Sequence, residues 1–272
     1  MEKISFLDKY GININVFEKL GVTWDNLEEI YRDYSARIPV YEDTAAYLAD
    51  MMNKEKSIHS IKYRVKDKEH LIEKIIRKSA ENPEFVCTRK DYDKLIKDLI
   101  GMRTLLLFKE NWLDIHNFLS GNWEFYTTPR ANYKKGDPQS LLDMYEAAGC
   151  ELNEHRNGYR SVHYHLLVKR GRREMVAEVQ VRTLFEEAWS EIDHYFRYSA
   201  KRDADYPEQA EPYLGVLNNI TSNADALASY INKTESQYKA AGAVKTKDTD
   251  GPVVGGDAHM NVREIYSKVR YG

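Results

Sequence analysis

Cysteine is scarce. The chain has two in 272 residues, Cys87 and Cys150, far apart and outside any metal-ligand spacing. That argues against a zinc site and fits a reducing compartment. No apolar run is long enough to span a bilayer, and the start carries no signal-peptide pattern, so the cytoplasm is the expected location and no membrane contact is expected. Strong net charge is also missing. At −3 the chain as a whole does not attract polyanions, so any nucleotide or nucleic-acid contact has to come from local basic clusters. There is no internal repeat. What is present suits a globular protein of one large domain or two small ones, with 42% hydrophobic and 31% charged residues. Twenty tyrosines is a high count; such side chains line nucleotide pockets or close half-exposed cores.

The most informative stretch is 158–198, which reads as strand, turn, strand, helix. In the first strand Tyr159, Ser161, His163 and His165 share one face, and Val162, Tyr164, Leu166 and Val168 the other. A basic turn follows, Lys169 to Arg173. In the second strand Glu178, Gln180 and Arg182 point one way and Ala177, Val179 and Val181 the other. Paired as a hairpin, each strand buries an apolar face and presents an ionisable one. An ordinary half-exposed sheet alternates too, but rarely with this density of Tyr, His, Glu and Arg.

Earlier in the chain, residues 1–56 read as helices: Thr23 caps one carrying Trp24, Leu27, Ile30, Tyr31 and Tyr34, Pro39 is expected to break it, and a second helix follows. Residues 58–66 read as a strand with Lys62, Arg64 and Lys66 on one face. Asp67 then caps a helix with Leu71, Ile72, Ile75 and Ile76 inward, so that Arg64, Lys66, His70 and Lys74 converge near a strand end and a helix start. Such a cluster suits a polyphosphate, although a solvated basic face has the same spacing. Residues 88–108 are expected to begin as a helix and end in a buried strand, Met102 to Phe108, with Asp98 where one gives way to the other. A carboxylate there is a common metal ligand in α/β folds and also a common loop residue. Arg103, inside that strand, needs a partner. A helix over 109–122 and a strand from Trp123 to Thr127 lead into a loop-rich excursion, 128–157, with one short helix at 139–148. An excursion this long beside a candidate site reads as a binding loop, with Arg130, Lys134, Lys135 and His155 its cations. After Arg182 the apolar stripe Leu184, Phe185, Ala188, Trp189 and Ile192 is expected to be buried; 206–238 continue as helix with Tyr213, Leu214, Leu217, Ile220, Leu227 and Ile231 periodic; 239–261 read as a linker, and the last twelve residues as an amphipathic helix. The expected division is 1–56 helical, 57–200 the functional domain, 201–238 helices and 239–272 linker and tail.

Three motifs then resemble one family: Arg64-x-Lys66 followed by Lys74; Asp98-Leu-Ile-Gly-Met-Arg103; and Gly158-Tyr-Arg-Ser-Val-His163 with Glu178-Val-Gln-Val-Arg-Thr183 and Trp189-Ser-Glu-Ile-Asp-His194. Their order and spacing resemble the RelA/SpoT-type synthetase domain, over roughly residues 40–200. The resemblance implies an α/β (α+β) nucleotidyltransferase-like fold, a mixed sheet of about five strands flanked by helices, with helical extensions at both ends. It implies transfer of pyrophosphate from ATP to a ribose 3′-hydroxyl by a synthesis-only enzyme, with Mg2+ as cofactor. On the matching positions it implies Asp98 and Glu178 as catalytic residues and metal ligands, with Glu178 also placed to take the proton. Arg64, Lys66, His70, Lys74 and Arg103 would hold ATP; Tyr159, His163, Asn157, His155 and Gln180 would hold the acceptor; Arg182 would pair with a carboxylate. His70 stands where the family usually has Ser, and His155 where it usually has Lys. GDP or GTP is the leading acceptor; those departures resemble the toxic branch of the family and raise the 3′ end of tRNA as the alternative, with an antitoxin or trigger protein at the C-terminal region and homo-oligomers among the partners the resemblance allows. A catalytically dead nucleotide sensor is the remaining reading, against which the intact carboxylate pair and Tyr159 speak.

Overall fold

The computed structural model describes residues 2–171, 173–200 and 210–245. The chain divides into two units, Met1–Tyr230 and Ile231–Gly272, and the described part of the second is the end of one helix. The predicted C-terminal amphipathic helix and most of the predicted linker lie outside the described residues.

Two short helices, α1 (Lys3–Lys9) and α2 (Ile14–Phe17), precede a long one, α3 (Trp24–Met52), whose N-terminus is capped by the Thr23 hydroxyl as expected. The expected break at Pro39 does not occur; α3 runs through it. A mid-helix proline costs about 3 kcal/mol, but the buried positions Leu27, Ile30 and Tyr34 before it and Tyr41, Ala45, Leu48 and Met52 after it stay in phase on one stripe. A single helix therefore buries both halves on one face, and that burial outweighs the lost hydrogen bond.

Next come β1 (Ser60–Val65), α4 (Lys68–Glu81), a single turn α5 (Tyr92–Leu95), β2 (Ile100–Leu106) and α6 (Trp112–Asn122). The Asp67 carboxylate caps α4 by accepting from the Glu69 and His70 amides. The helix expected to open 88–108 shrinks to α5, and the strand starts and ends two residues early. β3 (Glu124–Tyr133) is twice the expected length. It passes Pro129 because the register slips there: Thr127 faces His165 and Arg130 faces His163, so one extra residue is bulged out and no ladder bond is asked of the proline. α7 (Gln139–Ala147) and β4 (Glu151–Glu154) follow, so the excursion over 128–157 is mostly regular structure. β5 (Ser161–Arg170) and β6 (Arg173–Thr183) form the expected hairpin, then α8 (Leu184–Ala200) and α9 (Ala210–Lys245) close the described chain. α9 extends into the predicted linker. Among the described residues no helix is long and apolar enough to cross a membrane.

The sheet has six strands rather than five, in the order β1-β2-β6-β5-β3-β4. β2 with β6 and β3 with β4 are parallel; the other pairs are antiparallel. One face carries the core: Met102, Val179 and Tyr164 line up across three strands, as do Ile100, Ala177 and Leu166, all buried, with α3, α4 and α6 contributing to the same cluster.

Two helices bury only part of the apolar stripe expected of them. Among the described side chains of α8 the buried ones are Glu187 and Trp189, while Phe185 and Ile192 are exposed and so is Ala188. On α9 Leu214, Asn218 and Asp225 are buried, whereas Tyr213, Ile220 and Leu227 are 75%, 59% and 60% exposed. Polar anchors decide these faces. Lys109 pairs with Glu186 at 2.7 Å and with Asp225 at 3.4 Å, and the Trp189 indole donates to the Leu214 carbonyl at 2.9 Å. Burial and the neighbouring Glu186 push the Asp225 carboxyl up to about 6, against the pull of Lys109. The folded chain therefore holds this proton more tightly than the unfolded one, and the contribution to stability falls as pH rises from about 4 to about 6. Asp225→Asn is expected to gain melting temperature over wild type as pH rises through that window, by a few degrees at roughly 2–4 °C per kcal/mol; thermal melts with the same difference at pH 4 and pH 8 would show that Asp225 folds ionised.

Candidate active site

The strand register sets two rows across the second face of the sheet. Arg64, Gly101, Glu178 and His165 stand side by side on β1, β2, β6 and β5; Lys62, Arg103, Gln180 and His163 form the next row. Gly101 leaves the first row open between Arg64 and Glu178: a Cβ there would meet only the Arg64 side chain, at 3.8 Å.

At one end of this face the chain leaves β1 and enters β2 together, and the Lys66 amide donates to the Leu99 carbonyl at 2.9 Å. This brings Asp98 between two ammonium groups, Lys66 at 2.9 Å and Lys74 of α4 at 2.8 Å, both on Oδ2. Oδ1 is buried and has no hydrogen-bond partner. Burial alone would raise the Asp98 carboxyl, but the two ammonium groups outweigh it and hold the group at about 2. His70 is not gathered here. Its imidazole turns to Asp67 at 3.9 Å and meets the Tyr10 ring edge-on at 6.0 Å. Arg103 finds the partner its position demands: Glu187 at 3.2 Å, and Glu191.

Glu178 lies in the middle of the face. Oε1 is 3.6 Å from His163 Nδ1 and 3.9 Å from His165 Nε2, and Oε2 accepts from the Gln180 amide at 2.9 Å. Burial and the Asp98 charge raise its carboxyl; His163 and Gln180 outweigh them, and the net shift is downward. The Thr127 hydroxyl is hydrogen-bonded to His165 Nδ1 at 2.7 Å, and burial lowers that imidazole's basicity. On the far side the Tyr159 hydroxyl bonds His163 Nε2 at 2.9 Å, its ring lies edge-on to His163 and 5.4 Å from His155, and the Arg182 guanidinium stands 5.3 Å from the ring centroid. Burial raises the Tyr159 hydroxyl despite Arg182, so it stays protonated. Arg182 in turn bonds Gln180 and the Ser190 hydroxyl and pairs with Glu187 at 3.2 Å. His155 and Asn157 shape the turn into this region: the Gly158 amide donates to the His155 carbonyl at 2.8 Å.

Of the residues singled out from the sequence, Lys66, Lys74 and Asp98 form one cluster and Glu178, Gln180, His163, Tyr159 and His155 a second, with Arg64 and Arg103 on the rows between. Sequence reasoning places Glu187 outward or toward the site without its role as the bridge between Arg103 and Arg182, and it missed the set Asp137, Arg160 and Asn218 behind Tyr159. The signal for Glu187 was present: two arginines in buried strands need a carboxylate.

The lysine cluster can neutralise a polyphosphate, and the fixed tyrosine can carry a flat ring; the fold that holds them is of the nucleotidyltransferase type, a mixed sheet flanked by helices. Residues 63–203, just over half the chain, match the family described as "Region found in RelA / SpoT proteins", and the chain belongs to that family. Among curated relatives, the GTP pyrophosphokinase YjbM of Bacillus subtilis (strain 168) is 23% identical over 232 residues, 84% of this chain and 97% of its own length. The GTP pyrophosphokinase YwaC of the same organism is 25% identical over 231 residues, 79% and 94%. Among solved structures, small alarmone synthetase 1 from Bacillus subtilis superposes with a TM-score of 0.59 at 21% identity, covering 75% of this chain and 99% of its own. A GTP pyrophosphokinase family protein from Streptococcus pneumoniae gives 0.56 at 19%, covering 81% and 98%. These two structures show the same fold.

The depressed Asp98 carboxyl has a stability consequence. Its contribution is complete above the ordinary carboxylate value of about 4 and is lost as pH falls toward about 2. In Lys74→Met the carboxyl is expected to move up and the acid loss to begin at higher pH. A carboxyl-carbon NMR titration that still finds Asp98 near 2 in the variant would leave Lys66 as the sole cause.

Proposed function

We propose that the protein moves the β,γ-pyrophosphate of ATP to the ribose 3′-hydroxyl of GDP or GTP, giving (p)ppGpp. The observation that carries this reading is the place of Glu178: it feels the Asp98 charge on one side and is bonded toward His163 and Tyr159 on the other. The names of the two curated relatives, both GTP pyrophosphokinases, support it.

In this reading Lys66 and Lys74 hold the ATP phosphates, and Arg64 and Arg103 flank the donor on the neighbouring rows. ATP phosphates compete with Asp98 for both ammonium groups, which frees its carboxylate. The guanine base stacks on Tyr159, whose ring is already fixed by His163 and Arg182; a stack of this kind is worth about 1–3 kcal/mol. Glu178 is ionised at neutral pH and takes the proton of the 3′-hydroxyl as that oxygen attacks the β-phosphorus; the bond from the β-phosphorus to the bridging oxygen breaks and AMP leaves. Transfer of this type is mostly positioning and charge neutralisation, and in this reading the cation cluster and the fixed tyrosine supply them.

Asp98 and Glu178 would hold a divalent cation, Mg2+ in this proposal. The partnerless Asp98 Oδ1 and the mutual repulsion of the two carboxylates fit such an ion. Among the described residues no group of three or more His, Cys, Asp or Glu stands ready as a metal cage, and Mg2+ characteristically takes one or two carboxylates plus substrate phosphates. Bound there, it would neutralise charge on the phosphate oxygens.

Incubation with γ-labelled ATP and GDP, GTP or bulk tRNA is expected to label the guanosine nucleotides; label appearing in tRNA alone would move the acceptor to the tRNA 3′ end. Glu178→Gln keeps shape but accepts no proton, and is expected to lose about 10²–10⁴ in turnover while ATP affinity and melting temperature hold. Turnover within a few-fold of wild type would assign the base elsewhere.

A further inference from the structure

Tyr159 is fixed from the back as well as at its ring. The residue before it, Gly158, has a left-handed backbone (φ 76°), and its carbonyl accepts from Asn218 Nδ2 of α9 at 2.9 Å. The residue after it, Arg160, donates from Nη1 to Asn218 Oδ1 at 2.9 Å. One carboxamide therefore ties down the chain on both sides of the tyrosine. Its orientation is unambiguous, because a carbonyl only accepts and a guanidinium only donates. Asn218 is 1% exposed, and space around Gly158 is tight: a Cβ there would meet Asn218 Nδ2 at 3.1 Å and Lys134 Cδ at 3.0 Å. The rest of Arg160 is held by Asp137, through Nε at 2.8 Å and Nη2 at 2.6 Å, and Asp137 also accepts from the Lys134 amide at 2.9 Å. Lys134 itself reaches Asn219 of α9 at 2.5 Å, which takes it away from the role of a free loop cation.

We infer that Asn218 is a positioning residue for the acceptor, setting Tyr159 through Gly158 and Arg160 without touching substrate. The inference rests on the reading that Tyr159 carries the acceptor base. It explains why α9 buries an asparagine while several of its apolar side chains face outward. Both halves of the amide are needed, so neither a carboxylate nor a hydrocarbon of the same size replaces it. Acceptor affinity then depends on α9 being docked, whereas among the described residues the donor cluster of Lys66, Lys74 and Asp98 is held by its own ion pairs.

The test is steady-state kinetics on the full chain for wild type, Asn218→Ala, Asn218→Asp and Tyr159→Ala, with separate KM values for GTP and ATP and a thermal melt of each. Asn218→Asp keeps the acceptor for Arg160 and loses the donor to Gly158, and it serves if the alanine variant does not fold. Both Asn218 variants are expected to raise the KM for GTP about three- to tenfold, the worth of one hydrogen bond, with the KM for ATP within about twofold. A purely structural role would move both KM values together, or only the melt, and would overturn the inference. If Tyr159→Ala raises the KM for GTP and the Asn218 variants do not, this inference alone fails. If Tyr159→Ala leaves it unchanged, or wild type labels neither GDP nor GTP, the reading of the acceptor site fails and takes the inference with it.

Discussion

A slip of one residue between β6 and β2 would turn Glu178, Gln180 and Arg182 into the hydrophobic core and Ala177, Val179 and Val181 out of it. The parallel register that pairs Gly101 with Glu178 is therefore the constraint on which the site depends. It is held from the apolar side. Ala177, Val179 and Val181 are buried against Ile100, Met102 and Thr104 of β2 and against β5 on the other flank. The packing face chooses the register, and the register then lines up Arg64, Glu178 and His165 across strands that are far apart in sequence.

Charges on such a face are half-removed from water and must be matched locally. The protein matches them in two different ways. Around Glu187 the pairing is closed: Arg103 and Arg182 share its buried carboxylate and Arg103 also meets Glu191, so two guanidiniums face two carboxylates. Around Asp98 it is open: two ammonium groups meet one carboxylate and leave a unit of positive charge over. The closed group serves rigidity. The open group has something left to offer an anion, and this asymmetry separates a supporting network from a binding one more clearly than residue type does.

The period-two pattern of the hairpin and the helical stripes of α3 and α4 were legible, because in both the apolar residues do the packing. The same rule misled at α8 and α9, where Glu187, Asn218 and Asp225 go inward and Phe185, Ile220 and Leu227 outward. Periodicity reports an apolar face but cannot report that a buried lysine or arginine on another element requires the polar one. Pro39, and Pro129 inside the stretch read as loop-rich, misled for a related reason. Each is a local breaker overridden by longer-range structure, a stripe in phase on both sides in α3 and a bulge that absorbs the missing donor in β3. His70 was placed by spacing at a helix start, yet its side chain turns back to the cap and to Tyr10, outside the reach of a linear pattern.

In the proposed reading, the donor and acceptor sides differ in how they are encoded. Every member of the Lys66, Lys74 and Asp98 cluster comes from adjacent segments, the end of β1, α4 and the entry to β2, so its spacing could be read from the sequence as a motif. The acceptor side is assembled from distant pieces: Asp137 before α7, Gly158 and Arg160 before β5, and Asn218 on α9. A side chain that acts through the backbone of another element leaves no signature at its own position. On that reading a donor motif can be recognised in a sequence while the support behind Tyr159 cannot, and a change of acceptor would be sought in that support as much as in the residues that line the pocket.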